Sequence, residues 1–297
     1  MSGGRDASSI DSMTTSELAL ADRVRLLFEQ GDDADRAASR SVVAELREAL
    51  STGRARAAET DSSTPTGWRV NEWVKRGILL AFRCGDVVDV PNDGSALFFS
   101  DKDTLPLKRP DVSRGMRLVP GGSAIRDGAY VGRGVICMPP MYINIGAYVG
   151  DGSLIDSHVL IGSCAQIGCR VHVSAGAQIG GVIEPVGALP VIVEDDVLIG
   201  GQVGVYEGAV IKARAVLGAG TIVTGSTPVY DLVRNRVLKP KPGYPIVIPE
   251  RAVVVPGARA VTKNPGLEWS LSLATPVIVK YRDDRTDART ALEPWIR

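Results

Sequence analysis

The residues able to do chemistry in this chain are few and widely spaced. There are four cysteines, Cys84, Cys137, Cys164 and Cys169, with no C-x-x-C pair, and two histidines, His158 and His172. That set offers neither the Cys/His spacing of a zinc site nor three histidines for one metal, so no metal centre is expected. No G-x-S-x-G elbow presents a nucleophilic serine. The first 118 residues hold no G-x-G-x-x-G or Walker-type loop to cradle a nucleotide phosphate. Lysine plus arginine and aspartate plus glutamate both number 34, so the basic excess of a nucleic-acid binder or polybasic membrane protein is missing. No apolar run approaches the ~20 residues of a membrane span, and MSGGRDASSIDSMTTSEL has no apolar signal core. The expectation is a cytoplasmic protein with reduced cysteines and no nucleic-acid or membrane partner.

Any site must be positioned by an internal repeat. An aliphatic or small residue recurs every sixth position from Ile125 through Val131, Cys137, Ile143, Val149, Ile155, Ile161, Ile167 and Val173 to Ile179. The register breaks at GVIEPVGALPVI and resumes from Val193 through Ile199, Val205, Ile211 and Leu217 to Val223. Period six is neither the 3.6 of a helix nor the 2 of a simple ladder. It suits short strands joined by tight turns, with the aliphatic residue inward and the polar residues out. Three such strands close a triangular coil, and stacked coils bury one column of Ile and Val. Glycine at 33 of 297 residues and aromatics at 5% fit so thin a core. This is the period of the hexapeptide-repeat left-handed parallel β-helix. The handedness follows from that resemblance, since the ordinary crossover is right-handed.

Flanking segments differ in pattern. TTSELALADRVRLLFEQ and ADRAASRSVVAELREAL have helical spacing, with Thr15 and Asp33 as N-caps. STGRARAAETDSSTPTG reads as a linker, and WRVNEWVKRGILLAFR as a third helix with Trp68, Trp73 and Ile78 in the core. CGDVVDV and ALFFS read as short strands. PVYDLVRNRVLKPKPGYPIVIP reads as a loop or hairpin, RAVVVPGARAV as a partial coil and WSLSLATPVIVKYR as a closing strand pair. The fold class is therefore mainly β: an N-terminal helical domain at 1–118, the left-handed β-helix at 119–258 and a small C-terminal cap at 259–297.

For a solenoid of this kind without regular Thr-x-Thr ladders, the main remaining chemistry is acyl transfer from a CoA or carrier-protein thioester. GSLIDSHVLIGSCAQIG, MPPMYINIGAYVGDG, GGVIEPVGALPVIVEDDVLIG, GMRLVP and WRVNEWVKRGILLAFR together resemble the tetrahydrodipicolinate N-succinyltransferase family of the lysine/diaminopimelate pathway. The likeness runs over 66–285 and is densest over 117–200. It implies a homotrimer with active sites between subunits, succinyl-CoA (or acetyl-CoA) as cosubstrate, no permanently bound cofactor and an amino-dicarboxylate acceptor. Its motifs place Arg117 and Asp156 at the substrate site. An arginine fork suits a carboxylate-rich substrate, and a positioned carboxylate can take the amine proton.

Two departures matter. The family's V-D-T-W reads Ile155-Asp156-Ser157-His158, and its R-S-E-V-V-E-G reads Gln202-Val203-Gly204-Val205-Tyr206-Glu207-Gly208. A second carboxylate expected from the family is thus Gly204, in what reads as the turn-and-small-residue region of a coil. His158, two residues from Asp156, is a candidate replacement base, because a neutral imidazole is competent near pH 7. His172 matches a family histidine and reads as structural. Three readings stay open: a succinyltransferase working with Asp156 alone, a paralogue with a related acceptor or another acyl donor, and a non-catalytic trimeric binding or assembly protein. If the break at 180–192 is an inserted loop, Asp156, Ser174, Gly200 and Gly218 share one stacked edge, the last three as CoA-binding candidates. Lys239, Lys241, Arg251, Arg259 and Lys263 either meet CoA phosphates or form a solvated charged face.

Overall fold

A computed structural model describes residues 15–90 and 98–283. Its first elements are three helices, α1 (Thr15–Glu29), α2 (Arg36–Thr52) and α3 (Glu72–Cys84). In α2 the buried positions Ser39, Val42, Val43, Leu46, Ala49 and Leu50 follow the three-and-four spacing of one helix face. That face meets Leu20, Val24 and Leu27 of α1 and Val74, Ile78 and Ala81 of α3 in one core. The cap of α2 is Asp35, whose side chain accepts from Ala38 N at 2.6 Å, in place of the expected Asp33. Asp33 closes a short 3-10 turn, Gly31–Asp33, that must finish before α2 begins. α1 starts at Thr15, whose side chain lies outside the described set, as do Ala96 and Leu97 of ALFFS and everything past residue 283.

The third helix starts later than its apolar spacing predicts. Trp68–Val70 (β2) is a strand paired antiparallel with Ala58–Thr60 (β1), inside the segment read as a linker. The Thr64 and Thr66 hydroxyls bond the Trp68 backbone on both its N–H and its carbonyl. These local bonds hold the chain extended where helical periodicity alone would continue a helix.

The repeat folds into a left-handed parallel β-helix whose three faces belong to sheets of six, ten and six strands. Residues eighteen apart stack in register, as Tyr130, Tyr148 and Gln166 do. The inward column from Ile125 and Val131 to Val205, Ile211 and Leu217 is buried as one cluster. Across the break, Gln166 pairs with Ile192 and His172 with Leu198, twenty-six apart in place of eighteen. Eight extra residues are therefore looped out with no slip of register. Lys75 of α3 pins that loop: it is 0% exposed and its Nζ donates to Ala188 O.

Beyond Val223 the open end is covered. Val229–Asp231 and Arg236–Leu238 form a hairpin. The strand Ala252–Ala260 begins as a coil strand, Val253 and Val254 pairing with Val216 and Leu217. It then continues into an antiparallel hairpin with Ser272–Tyr281, so the expected closing pair is one strand of WSLSLATPVIVKYR against RAVVVPGARA. Val229 and Ile278 enter the core from this cap.

Inward and outward neighbours on one strand should respond differently to truncation. Ile161 is fully buried and Leu160 half-buried on the outer face. Ile161→Ala is expected to cost about 2–5 kcal/mol and Leu160→Ala about 1 kcal/mol or less, read from denaturant midpoints.

Candidate functional site

Asp156 follows the inward Ile155 and turns the corner from the ten-stranded face to the six-stranded face carrying Leu160. Its N–H donates to Val173 O at 2.9 Å, and its half-buried carboxylate accepts from Ser157 N at 2.7 Å. The same ladder step carries Ser174 N to Ile199 O, Gly200 N to Leu217 O and Gly218 N to Val254 O. Asp156, Ser174, Gly200 and Gly218 thus stand in one column, one coil apart. Glycine at 200 has a packing cause of its own: a Cβ there would lie 2.7 Å from Ala219 N and from Leu217 O of the next coil.

His158 lies at the same corner as Asp156. It is exposed, with φ 61°, in a left-handed turn position that Gly152 takes at the preceding corner and Gly176 one coil on. Its N–H donates to Pro140 O, and its carbonyl accepts from Gln178 Nε2 at 3.4 Å. Arg117 is exposed on the outer face of the ten-stranded sheet, in the row Arg117, Ile136, Leu154, His172. Two coils therefore separate it from Leu154 and the Asp156 corner, about 10 Å along the axis. His172 belongs to that same row and is half-buried.

Gly204 is not in a turn. It opens the strand Gly204–Val205 on a six-stranded face and is buried. The ring of Tyr206 covers it: a Cβ at 204 would lie 2.4 Å from Tyr206 Cε2 and 2.9 Å from Ile222 Cδ1, and one at Gly180 2.8 Å from Tyr206 Cδ1. The phenol ring occupies the space next to the backbone that a longer residue at 204 would need. Glu207, the surviving acid of that segment, is exposed at a corner and accepts from Ser226 Oγ at 3.2 Å.

The basic set does not gather into one patch. Lys239 and Lys241 line a cavity of about 350 Å³ with Arg236 and Tyr244. Arg251 is bound through Nε and Nη2 to the carbonyl of Arg282 at 3.1 and 2.7 Å. Arg259 lines a separate groove with Val255 and Val277.

Cysteine chemistry is disfavoured where the thiols are deepest: burial pushes Cys137 and Cys164 up to about 12, which keeps them protonated. All four cysteines are free, and among the described residues no group of three or more His, Cys, Asp or Glu is placed to hold a metal. One feature escaped the reading of the sequence, a stack of Arg56 on Tyr148 and Tyr148 on Tyr130 against the N-terminal hairpin. The recurrence of tyrosine one coil apart was its visible signal.

Residues 19–84 match the family model described as the N-terminal region of tetrahydrodipicolinate N-succinyltransferase. The 2,3,4,5-tetrahydropyridine-2,6-dicarboxylate N-succinyltransferase of Nitrobacter winogradskyi is 38% identical over 84% of this chain and 86% of its own length. Its namesake in Polynucleobacter asymbioticus is 39% identical over 87% and 90%. That of Rhodopseudomonas palustris is 34% identical over 94% and 98%.

The Tyr206 ring over Gly204 predicts a coupled pair. Gly204→Ala alone should destabilise the fold by about 1–3 kcal/mol through overpacking. The same change in a Tyr206→Ala background should cost markedly less. Additive thermal-denaturation losses would show that the two positions do not share this space.

Proposed function

Because this chain belongs to the tetrahydrodipicolinate N-succinyltransferase family, we propose that it is a CoA-dependent N-acyltransferase that moves succinyl from succinyl-CoA onto the amine of ring-opened, hydrated tetrahydrodipicolinate or a close amino-dicarboxylate. The observation that carries this reading is similarity at 34–39% identity, over most of both chains, to relatives bearing that enzyme name.

In the proposed mechanism the acceptor lies along the two coils between Arg117 and Asp156. Arg117 grips one carboxylate through its fork, leaving the nitrogen at the Asp156 corner. The acyl-CoA arm runs up the column of Ser174, Gly200 and Gly218, where small residues let it approach the backbone. The amine nitrogen attacks the thioester carbonyl. Asp156 takes the proton that the nitrogen sheds as the C–N bond forms, and the tetrahedral intermediate collapses with loss of the CoA thiolate, which is then protonated. His158, at the same corner, is the proposed second proton carrier in place of the carboxylate missing at 204. The working unit is a homotrimer with sites between copies. Among the described residues no helix is long and apolar enough to cross a membrane, and the proposed compartment is the cytoplasm.

A thiol-release assay tests this directly, with succinyl-CoA and acetyl-CoA each offered against tetrahydrodipicolinate and a panel of amino-dicarboxylates. Succinyl-dependent release is expected; no release with either donor and any acceptor would favour a non-catalytic assembly protein. Asp156→Asn should lower kcat by about 100-fold or more, while the sedimentation mass stays at three times the 31.4 kDa chain. Unchanged turnover would remove Asp156 from the chemistry.

A further inference from the structure

A cavity of about 450 Å³ lies between the β1–β2 hairpin and the six-stranded face that carries Tyr148 and Gln166. Its walls include Arg56, Trp68, Tyr148, Val193 and Ala213. Arg56 is fixed there from two sides. Its guanidinium lies 3.7 Å from the centre of the Tyr148 ring, which stacks in turn on Tyr130 at 4.4 Å, and its Nε donates to Gln166 Oε1 at 3.0 Å. Gln166 is itself held, its Nε2 donating to the Cys164 carbonyl at 2.8 Å.

The guanidinium has no ion-pair partner among the described residues. Glu59, close by in sequence, pairs with Arg69 at 2.7 Å. The two carboxylates lining the cavity are also engaged. Glu194 accepts from Trp68 Nε1 at 2.9 Å, Lys212 Nζ at 2.7 Å and Ala213 N at 3.1 Å. Asp195 accepts from Cys169 N at 2.9 Å and lies 3.6 Å from Arg170. Burial pushes the Arg56 guanidinium below its usual range, outweighing the opposing pull of the nearby Tyr148 and Glu59. A preorganised fork of this kind matches a carboxylate edge-on, and the aromatic and aliphatic walls suit a flat or apolar body. With Glu194 paired to Lys212 and Asp195 beside Arg170, Arg56 brings one positive charge without an ion pair, which balances one carboxylate and not two.

We propose that this cavity is a binding site for a small organic monocarboxylate, its carboxylate held by the Nη groups of Arg56 and its body packed against Trp68 and Val193. A bound molecule ties the β1–β2 hairpin to the coils beneath it.

Cys169 lines the same cavity and is the one partly exposed cysteine of the four, so it reports on occupancy. The probe is benzoate, and the reading is the rate of Cys169 alkylation by iodoacetamide, followed by peptide mass with and without probe. Saturable protection is expected, the rate falling about tenfold at ten times Kd. Arg56→Gln should abolish the ratio. Since that change also removes a contact between hairpin and coils, Ala213→Phe, which fills the cavity while leaving the bonds of Arg56 in place, should abolish it too. No saturable protection of the unmodified protein would overturn the proposal, as would protection retained in a folded Arg56→Gln or Ala213→Phe variant. Equal protection by inorganic phosphate or succinate would overturn the monocarboxylate assignment.

Discussion

Everything in this molecule depends on one coil sitting on the next in fixed register. Parallel backbone bonds such as Leu154 N to Val171 O and Asp156 N to Val173 O, both 2.9 Å, repeat from coil to coil. They place each inward aliphatic residue over the last, and a slip of one residue would turn the whole column outward. The eight-residue loop shows how firmly this holds. The chain departs from the stack, returns, and pairs Val173 with Ile199 as if nothing intervened. The same register makes Asp156, Ser174, Gly200 and Gly218 a column, although they are scattered in sequence. Coil stacking and site geometry are therefore one constraint.

A solenoid held by coil-on-coil bonding exposes a problem at each end, where the terminal strands have unpaired backbone edges. Here the two ends are treated differently. At the C-terminal end the backbone edge itself is extended: Ala252–Ala260 leaves the stack and becomes half of a hairpin. On the N-terminal side the edge is met by a single antiparallel bridge, with Lys108 N donating to Ile125 O at 2.7 Å and Asp127 N to Pro106 O at 2.9 Å, and the helical segment docks through side chains. Arg47 Nε and Ser51 Oγ bond Asp127 at 2.8 and 2.5 Å, and Ile145 and Cys164 of the coils join the helical core. Lys75 extends this docking to the inserted loop. Burial pushes its ammonium below the usual lysine range, so the bond to Ala188 O offsets a real desolvation cost. The loop, which also bonds Ser163 O through Val182 N and packs Ile183 on the helical core, is thus fastened by residues from other parts of the chain.

What the sequence made readable follows from range. Period six is set by residues on successive strands and survives translation into structure, because each Ile or Val needs only its own strand and the coil above. The Asp156 column was readable on one condition, that the break is an insertion, and the register meets that condition. Failures came where side chains intervene locally. WRVNEWVKRGILLAFR reads as a single helix, yet the Thr64 and Thr66 hydroxyls pull Trp68 into a hairpin. The cap moved from Asp33 to Asp35 because a 3-10 turn intervenes. The stack of Arg56 on Tyr148 joins residues from two separate segments; tyrosines one coil apart signal their own stacking but not the arginine that joins it.

The least readable feature bears on the proposed reaction. A carboxylate replaced by glycine looks like a plain loss, leaving an open space. In three dimensions the space is occupied: Tyr206 lies over both Gly180 and Gly204, so glycine at 204 and the aromatic two residues later form a single packed unit. In the proposed chemistry this exchange removes a negative charge and puts a bulky phenol in its place. An acceptor carrying two carboxylates then meets less repulsion, but the proton shed by its nitrogen has one acid fewer to receive it. Within one chain Gly204 lies two coils from Leu160, the strand that follows the Asp156 corner, about 10 Å along the axis. Within one chain a group at 204 therefore stands apart from Asp156. His158 shares a corner with Asp156 in the same chain and needs no neighbour. In the proposed chemistry the acid–base pair of Asp156 and His158 therefore needs only one corner of one chain.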